Sequence, residues 1–428
     1  MRTIVDIIGT GLGPDTLTTQ ARAAMEQAMV VIGSARLVAQ FASPGQTTVT
    51  ATRPSDVIAA LREVAVEPVV VLMSGDVGFH SGAAKVHAAL AEDPRFEVHL
   101  IPGISTVQFF AARLGLAWDD AHLVSCHGVE GNLVAAVRRH RHTIALTGGN
   151  IQQLAEDLVE AGYSGLEVVA GEDLGQDQSV PFGSSSDNPP SADSSSRMPA
   201  PPDTGPHERV TRTTVAGLRE RAWSSLTVLS ITNPRPDPRT RSGILDDEFT
   251  RGDVPMTKQA IRAHALAVLA VAPTDVCWDV GCGTGSVTIE LALAAYEGMV
   301  WAIDKKADAI GLTQTNCRTF HVGNVRLKHG SAPLAMSEWP PPDVVFIGGT
   351  SGDLAEIVEV ALRLNPLARI LVTAIAIESA AAAIRVLASQ DIDPQVTQLS
   401  AANGRAAGQL HLMMAQNPVT LIYGRRHG

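Results

Sequence analysis

The sequence predicts an α/β protein made of two domains whose strands are mostly parallel. Three observations indicate this fold. Short β-branched runs alternate with helical patterns, most of these runs end in glycine, and a glycine-rich loop follows a strand in each half of the chain. Strand–helix alternation is typical of parallel sheets, in which ligands bind at the carboxyl ends of the strands.

The first half contains four runs that read as strands, namely "TIVDIIG", "VVVLMSG", "EVHLIPG" and "HTIALTG". Helical patterns lie between them, for example over Thr19–Met29 and Ala83–Ala91. A further β-rich run, "WSSLTVLSITNP" (Trp223–Pro234), is expected to supply the last strand of this domain. The first domain is therefore predicted to span residues 1–236.

A segment of about residues 172–210 interrupts this domain. It is rich in Ser, Pro and Asp and holds almost no large apolar side chain, so we expect a disordered insertion. The second breaker-rich run, Asn233–Gly243, is predicted to join two independent halves. The second domain is then expected to span residues 243–428.

The second half repeats the alternation with "VCWDVG", "GMVWAID", "DVVFIGG" and "RILVTAI". Its loop "DVGCGTGS" has GxGxG spacing, whereas the dinucleotide fingerprint is GxGxxG. Asp304 ends the next strand, where a carboxylate can accept both ribose hydroxyls of a nucleoside cofactor. The acid does not separate nicotinamide enzymes from S-adenosylmethionine enzymes, and the spacing favours the latter.

Composition excludes several classes of protein. The chain has 428 residues, of which 45% are hydrophobic and 18% charged, which is typical of a globular protein. The formal net charge of -11 argues against a nucleic-acid partner. Four cysteines without a CxxC pair indicate reduced thiols and no structural zinc. With neither a signal peptide nor a membrane span expected, the predicted location is the cytoplasm.

The C-terminal half resembles the decarboxylating precorrin methyltransferases of cobalamin (vitamin B12) biosynthesis. The resemblance covers Gly243 to the C-terminus and rests on "GILDDEFTRGDVPMTKQAIR", "DVCWDVGCGTGSVTIELA", "KHGSAP", "PPDVVFIGGTSGDL" and "NPVTLI". It implies a Rossmann-like class I methyltransferase fold that binds S-adenosylmethionine. The implied contacts are Thr257, Gly281, Cys282, Gly283, Thr284, Gly285, Asp304 and Ala332.

The N-terminal half resembles the tetrapyrrole methylases over about Met1–Pro234. The motifs are "IIGTGLGPDTLT", "LMSGDVGFHSGA", "IPGISTVQFFAARLGLAWDD" and "SCHG". The family binds S-adenosylmethionine between two α/β lobes. The implied contacts are Gly9, Gly11, Gly13, Gly75, Asp76, Ser105 and Thr106.

The pairing of the two halves resembles the fused precorrin-6Y C5,15-methyltransferases (decarboxylating). It implies two S-adenosylmethionine sites, methylation of a precorrin at C5 by the N-terminal domain, and methylation at C15 with decarboxylation of the C12 acetate by the C-terminal domain. The implied product is precorrin-8X. A homo-oligomer is expected, with a tetramer through the C-terminal domain as the form considered, and no metal is required.

A precorrin carries many carboxylates, so its site needs basic donors. Lys258 and Arg262, four residues apart on one predicted helical face, and Arg405 are the candidates, with solvated surface bases as the alternative. The run "RRHRHT" (Arg138–Thr143) is expected to be an exposed helix end before a strand, with a carboxylate or metal grip as the alternative.

Other functions stay open at this point. They are a methyltransferase acting on another tetrapyrrole, a nicotinamide oxidoreductase, a non-catalytic tetrapyrrole carrier, and a methyltransferase for protein or nucleic acid. The GxGxG spacing opposes the oxidoreductase, and an intact glycine loop in each half opposes the carrier.

Overall fold

The structure, a computed structural model, describes residues 2–64, 66–126, 132–175, 208–349 and 352–426. We use "N-terminal half" for residues up to Thr232, "connecting segment" for residues 233–242, and "C-terminal half" for residues from Gly243 onwards. The core of the predicted insertion, 176–207, lies outside the described residues.

The chain begins with a five-stranded parallel sheet in the order β3-β2-β4-β1-β5. Its three inner strands are largely buried, which is why they read as nearly continuous runs of Val and Ile, whereas the two edge strands are partly exposed. The elements are β1 (Thr3–Gly9), α1 (Thr19–Gln27), β2 (Val30–Gly33), α2 (Ala35–Phe41), β3 (Thr47–Thr50), α3 (Pro54–Glu63), β4 (Val69–Met73), α4 (Ala83–Ala91), β5 (Phe96–Ile101) and α5 (Thr106–Leu114).

A second five-stranded sheet follows in the order β6-β7-β10-β8-β9, and it is mixed because β10 and β9 run antiparallel to their neighbours. The elements are β6 (His122–Ser125), α6 (Leu133–Arg139), β7 (His142–Leu146), α7 (Ile151–Glu160), β8 (Glu167–Glu172), β9 (Arg209–Thr214) and β10 (Thr227–Thr232). The run Trp223–Pro234 thus contributes the central strand of this sheet.

Regular structure extends into both ends of the predicted insertion, so the insertion is shorter than its composition suggests. β8 continues through Glu172, and β9 already begins at Arg209. The carboxylate of Glu172 is 4% exposed and binds the guanidinium groups of Arg209 and Arg221, so tertiary ion pairing orders both flanks. The amino-acid composition of this segment could not predict these ion pairs, because they form only in the folded chain.

The C-terminal half forms a seven-stranded sheet in the order β13-β12-β11-β14-β15-β19-β16, with only β19 reversed. Relative to its first strand the order is 3-2-1-4-5-7-6. The elements are α8 (Gln259–Leu269), β11 (Val276–Val280), α9 (Ser286–Ala294), β12 (Met299–Asp304), α10 (Ala307–Thr319), β13 (Val325–His329), β14 (Val344–Ile347), α11 (Leu354–Leu364), β15 (Arg369–Ala374), α12 (Ile377–Ala388), β16 (Gln395–Leu399), β17 (Ala402–Ala407), β18 (Leu410–Ala415) and β19 (Val419–Gly424).

Two of the cores lie on opposite faces of this seven-stranded sheet. Cys277 and Phe346 point to the face that α8 and α9 cover, while Trp278 and Val345 point to the face that α11 and α12 cover. The prediction of an α/β fold with parallel-rich sheets is confirmed. Among the described residues, no helix has both the length and the apolar character needed to cross a bilayer.

The two halves contact each other through side chains that the sequence did not single out. Asn132 donates from Nδ2 to the Tyr296 carbonyl at 2.8 Å, and the guanidinium carbon of Arg139 lies 3.8 Å from the centre of the Tyr296 ring. On the other side of this interface, Nδ1 of His321 donates to the Ala161 carbonyl. The halves are therefore packed together rather than merely tethered.

Candidate functional site

The C-terminal glycine loop connects β11 to α9. Gly281, Gly283 and Gly285 have φ values of 78°, 59° and 77°, a region that L side chains rarely adopt. A Cβ at Gly281 would lie 2.7 Å from the carbonyl oxygen of Gly349, which follows β14. The glycines are needed because the loop turns sharply and packs against the neighbouring strand end.

Asp304 lies directly beside this loop. Its Oδ2 accepts from the backbone N–H of Gly283 at 3.0 Å, and its Oδ1 accepts from Lys306 N–H at 2.9 Å. This proximity follows from the register, because β11 and β12 are parallel neighbours and the loop and Asp304 leave the same edge of the sheet.

Asp279 is an acidic residue at this site that sequence reasoning missed. It is the fourth residue of β11, is fully buried, and accepts from the Thr288 hydroxyl at 2.5 Å through Oδ2. Its Oδ1 has no hydrogen-bond partner among the described residues. Burial raises the pKa of Asp279 to about 7; the Thr288 hydrogen bond opposes this rise and the nearby Asp304 charge adds to it. Its place two residues before the first loop glycine was the available signal.

The remaining predicted contacts of the C-terminal site lie close to the loop. A Cβ at Gly283 would meet the Pro255 carbonyl at 2.6 Å, so the segment that carries Thr257 covers the loop. The Thr257 carbonyl accepts from the Ser286 hydroxyl at 3.4 Å. Within the loop, Cys282 and Thr284 are buried, and the Thr284 hydroxyl has no hydrogen-bond partner among the described residues.

The loop after β13 brings Ala332 to the same edge of the sheet. Gly330 N–H in that loop donates to the Asp304 carbonyl at 3.0 Å, so the "GSAP" stretch runs beside the end of β12. Ala332 packs against the cluster that includes Trp301 and Trp339. Ala332 is therefore positioned as a wall of the site rather than as a polar ligand.

The expectation that Arg262 grips substrate carboxylates is wrong. Its side chain is fully buried and donates to the Glu290 carboxylate at 2.5 Å, to Asp246 at 3.3 Å, and to two backbone carbonyls. Glu290 in turn accepts from Gly243 and Ile244 N–H, both at 2.9 Å. Arg262 thus fastens the start of the C-terminal half to its core. Helical spacing placed it beside Lys258, but a partner on α9 determines its burial.

The other two basic candidates are accessible. The Lys258 side chain is 44% exposed, with Nζ 4.0 Å from Asp246. Arg405 is exposed on β17, and in the described structure no hydrogen bond or ion pair joins it to the glycine loop. Lys258 is closer to the site in the chain, since it follows Thr257 directly.

In the N-terminal half, three strand ends converge into a glycine cluster formed by Gly9, Gly11, Gly75 and Gly103. Gly11 and Gly75 exchange backbone hydrogen bonds at 3.1 and 3.0 Å. A Cβ at Gly103 would lie 2.4 Å from the Gly75 carbonyl and 2.6 Å from that of Gly9. Gly103 was not among the predicted contacts, although it belongs to the quoted "IPG".

Asp76 holds this cluster together. Its Oδ2 accepts from Gly103 N–H at 3.1 Å and its Oδ1 from Gly78 N–H at 2.8 Å. Ser105 caps α5, accepting from Gln108 N–H at 3.1 Å, and Thr106 begins that helix. In the described residues, both carboxylate oxygens of Asp76 are thus occupied by backbone donors, and its role is to position loops.

The glycine cluster faces the second sheet. A Cβ added at Gly13 would lie 3.1 Å from the Gly175 carbonyl oxygen. Leu12 and Phe79 pack on the core of Phe110 and Ile144. The site therefore opens between two lobes. A Cβ at Gly75 would have just one described neighbour, the Ser105 Cα at 3.9 Å, so a ligand has room to approach the backbone there.

Comparison with known proteins matches each half separately. A model described as "Precorrin methyltransferase domain" matches residues 247–426, and one described as "Tetrapyrrole (Corrin/Porphyrin) Methylases" matches residues 5–185. A probable cobalt-precorrin-6B C(15)-methyltransferase (decarboxylating) of Methanothermobacter thermautotrophicus is 39% identical over 184 residues, 42% of this chain and 95% of the relative.

A longer relative and a solved structure are also similar to this chain. A precorrin-6Y C(5,15)-methyltransferase [decarboxylating] of a Sinorhizobium species is 30% identical over 292 residues, 66% of this chain and 62% of the relative. The crystal structure of a precorrin-6Y C5,15-methyltransferase from Geobacter metallireducens is 30% identical, covering 43% of this chain and 97% of that one, with a TM-score of 0.42. The tetrapyrrole methylase match lies in the N-terminal half. The relatives that match the C-terminal half show that this chain belongs to the decarboxylating precorrin methyltransferase family.

Proposed function

We propose that this chain is a fused S-adenosylmethionine-dependent methyltransferase that acts on a precorrin at C5 and C15, removes the C12 acetate carboxylate, and yields precorrin-8X in cobalamin biosynthesis. The N-terminal half carries the C5 reaction and the C-terminal half the other two. The observation that carries the proposal is that one chain holds two separate glycine clusters, each at the carboxyl ends of parallel strands, in halves that match two different methylase families.

The C-terminal cluster fits a nucleoside sulfonium cofactor. S-adenosylmethionine, when bound, supplies an activated methyl group and a positive charge. Asp304 offers carboxylate oxygens for the ribose hydroxyls, and the unpartnered Oδ1 of Asp279 and hydroxyl of Thr284 offer further polar groups. These residues orient the cofactor, so alignment with the substrate carbon supplies much of the catalysis.

The N-terminal cluster fits the same cofactor by different means. Here the open space beside Gly75 and the backbone groups around Gly11 are available for close approach, while Asp76 fixes the loops. Ser105 and Thr106 place the start of α5 at the same strand ends. We infer one cofactor site in each half.

The substrate is a polycarboxylate, and Lys258 is the remaining C-terminal candidate that combines exposure with closeness to the loop. Lys258 would attract an acid side chain of the macrocycle. Arg405, which is exposed on the β17–β18 hairpin, is the second basic candidate for an acid side chain.

We also infer a cytoplasmic homo-oligomer assembled through the C-terminal half. Among the described strands, β17 and β18 pair only with each other, as a two-stranded hairpin. Four apolar side chains of β18 are exposed: Leu410 by 68%, Leu412 by 54%, Met413 by 67% and Met414 by 49%. Leu410, Leu412 and Met414 alternate along β18 and therefore share one face of the hairpin, and an exposed apolar face of this kind favours self-association. Cys277, Cys282 and Cys317 form no disulfide among the described residues, which suits a reducing compartment.

The deciding experiment is incubation of purified protein with precorrin-6B and S-adenosylmethionine, followed by mass spectrometry of the macrocycle. The expected product has gained two methyl groups and lost CO2. A reaction without S-adenosylmethionine is the control. A macrocycle that returns without any added methyl would overturn the proposal, and one added methyl without loss of CO2 would remove the C-terminal assignment.

A further inference from the structure

A cavity of about 440 Å³ lies where the two halves and the connecting segment meet. Arg138 and Tyr163 line it from the N-terminal half, Arg235 and Arg241 from the connecting segment, and Phe320 and His321 from the C-terminal half. None of its lining residues belongs to either glycine cluster. We call it the junction cavity.

The junction cavity is basic. Its lining residues include three arginines and one carboxylate, that of Asp237. Asp237 is already bound by Arg239, with Nε to Oδ1 at 2.7 Å, and Arg241 pairs with Glu248 at 2.6 Å. Arg235 has no ion-pair partner among the described residues. Arg138 and Arg235 therefore contribute positive charge that the described carboxylates do not neutralise.

Arg138 is the most informative of these residues. It lies in the last turn of α6, is 5% exposed, and donates from Nη1 to the carbonyls of Asp237 at 3.1 Å and Arg239 at 3.4 Å. Its Nη2 is buried and has no acceptor among the described residues. A buried donor without a partner is rare and costly, more so on a charged group. The expectation of an exposed helix end is thus wrong for Arg138.

The groups around Arg138 complete a binding geometry. Tyr163 is 9% exposed, lines the cavity, and packs its ring on His321 with 4.8 Å between ring centres. In the described structure its hydroxyl makes no hydrogen bond, so it is a second free donor. A guanidinium edge, a phenol and an exposed guanidinium at the rim form a donor set that suits a carboxylate.

We propose that the junction cavity is a binding site for a compound with carboxylate groups, which bridges the two halves of the enzyme. The buried Nη2 of Arg138 donates to one carboxylate, and Arg235 at the rim attracts another. The volume suits a small di- or tricarboxylate, or one acid side chain of a larger macrocycle. The inference does not depend on the methylations proposed above.

Calorimetric titration of the full chain with citrate, at fixed ionic strength set with chloride, tests the site. One saturable site is expected, and Arg138→Gln is expected to weaken binding about tenfold or more, since a charge-assisted hydrogen bond is lost. Arg95→Gln is the matched control, because Arg95 is an exposed N-terminal arginine paired with Asp93 and should leave citrate binding unchanged. No saturable binding, or equal binding by Arg138→Gln, would overturn the proposal.

Arg138 also holds the connecting segment, so its replacement can impair folding. Arg235→Gln supplies the second variant, because Arg235 is exposed, and a weakening of several-fold is expected. If neither a folded Arg138→Gln protein nor Arg235→Gln shows weaker binding, the site is elsewhere. Uroporphyrin is then added to the protein with citrate bound, to identify which compound supplies the carboxylate. Displacement of citrate indicates an acid side chain of a macrocycle, and retention of citrate indicates a free polycarboxylate.

A second measurement tests the bridging role. Trypsin can cut the connecting segment after Arg239 and Arg241, the latter of which lines the cavity. Citrate is expected to slow this cleavage in the unaltered chain and in Arg95→Gln, because the ligand would tie the segment to both halves. Cleavage at an unchanged rate in saturating citrate would contradict bridging.

Discussion

The two glycine clusters are built and held in place by different interactions. In the C-terminal half, one continuous loop is turned by three glycines and held by Asp304, with the fully buried Asp279 beneath it. In the N-terminal half, the cluster is assembled from the ends of three strands, and Asp76 joins them through backbone N–H groups. One cluster therefore includes a buried carboxyl group, and the other depends on the close approach of backbones.

The largest expected effect tests the buried carboxyl group of Asp279. Because the pKa of Asp279 rises from 3.8 to about 7 on folding, the folded chain keeps a proton that the unfolded chain releases. Its contribution to stability is complete below about pH 4 and is lost as pH rises to about 7, a change of roughly 4 kcal/mol. Urea unfolding of Asp279→Asn should lack this dependence.

The informative quantity is the difference in unfolding free energy between the original chain and Asp279→Asn at pH 5 and pH 8. Asp308→Asn is the control, because Asp308 is an exposed acid on α10. A difference that does not change between these two pH values would show that Asp279 is ionised throughout and that the C-terminal cluster does not depend on a buried proton.

The backbone approach in the N-terminal cluster predicts the next effect. Gly103→Ala would place a methyl group 2.4 and 2.6 Å from two carbonyl oxygens, which are parts of the backbone and cannot rotate away. We expect a loss of about 3 kcal/mol in stability of the N-terminal half and loss of the C5 methyl in product mass spectra. The C15 methyl and CO2 loss should persist.

Gly165→Ala is the matched control, since a Cβ there would meet no described atom within 4 Å. It should unfold and methylate as the original chain does. Normal C5 methylation by Gly103→Ala would mean that the three strand ends can separate, and the contrast between the clusters would disappear.

Asp304→Ala is expected to weaken cofactor binding in the C-terminal half alone by about 1.5–3 kcal/mol, because a charged hydrogen-bond acceptor is removed and the Gly283 N–H loses its partner. Isothermal titration with S-adenosylhomocysteine should then show one tight site instead of two. The exposed Asp308→Ala is the control. If both sites keep their affinity, Asp304 shapes the loop but does not touch the ribose.

The same contrast explains what the sequence could predict. The proximity of Asp304 to its loop follows from strand order alone, since β11 and β12 are adjacent and end at the same edge. Gly103 was missed because its need for glycine arises from Gly9 and Gly75, which are distant in sequence. Arg262 was misjudged for a similar reason: local spacing suggested an exposed base, but Glu290 on α9 buries it. No local sequence pattern indicated the contacts that Tyr296 and His321 make between the halves.

The smallest effect is expected from the insertion, and it sharpens the comparison because the insertion belongs to the N-terminal half. Its two ends already meet, since Gly175 N–H donates to the Glu208 carboxylate at 3.0 Å and Glu208 pairs with Arg113 at 2.8 Å. A short connection can therefore close this loop at little cost in entropy. Replacing Asp177–Pro206 with a short Gly/Ser linker, with Glu208 retained, should keep C5 methylation within about twofold, under roughly 0.5 kcal/mol in the barrier.

The alternative is that the insertion closes over the macrocycle as a lid. A lid brings apolar or basic groups to its ligand, and the composition of residues 177–206 supplies few of either. The full-length chain and the shortened one should be compared for C5 and C15 products in the same reaction. A large loss of the C5 methyl, with unfolding and the C15 product unchanged, would assign the insertion to the N-terminal site, and the two clusters would then differ in their covering as well as in their chemistry.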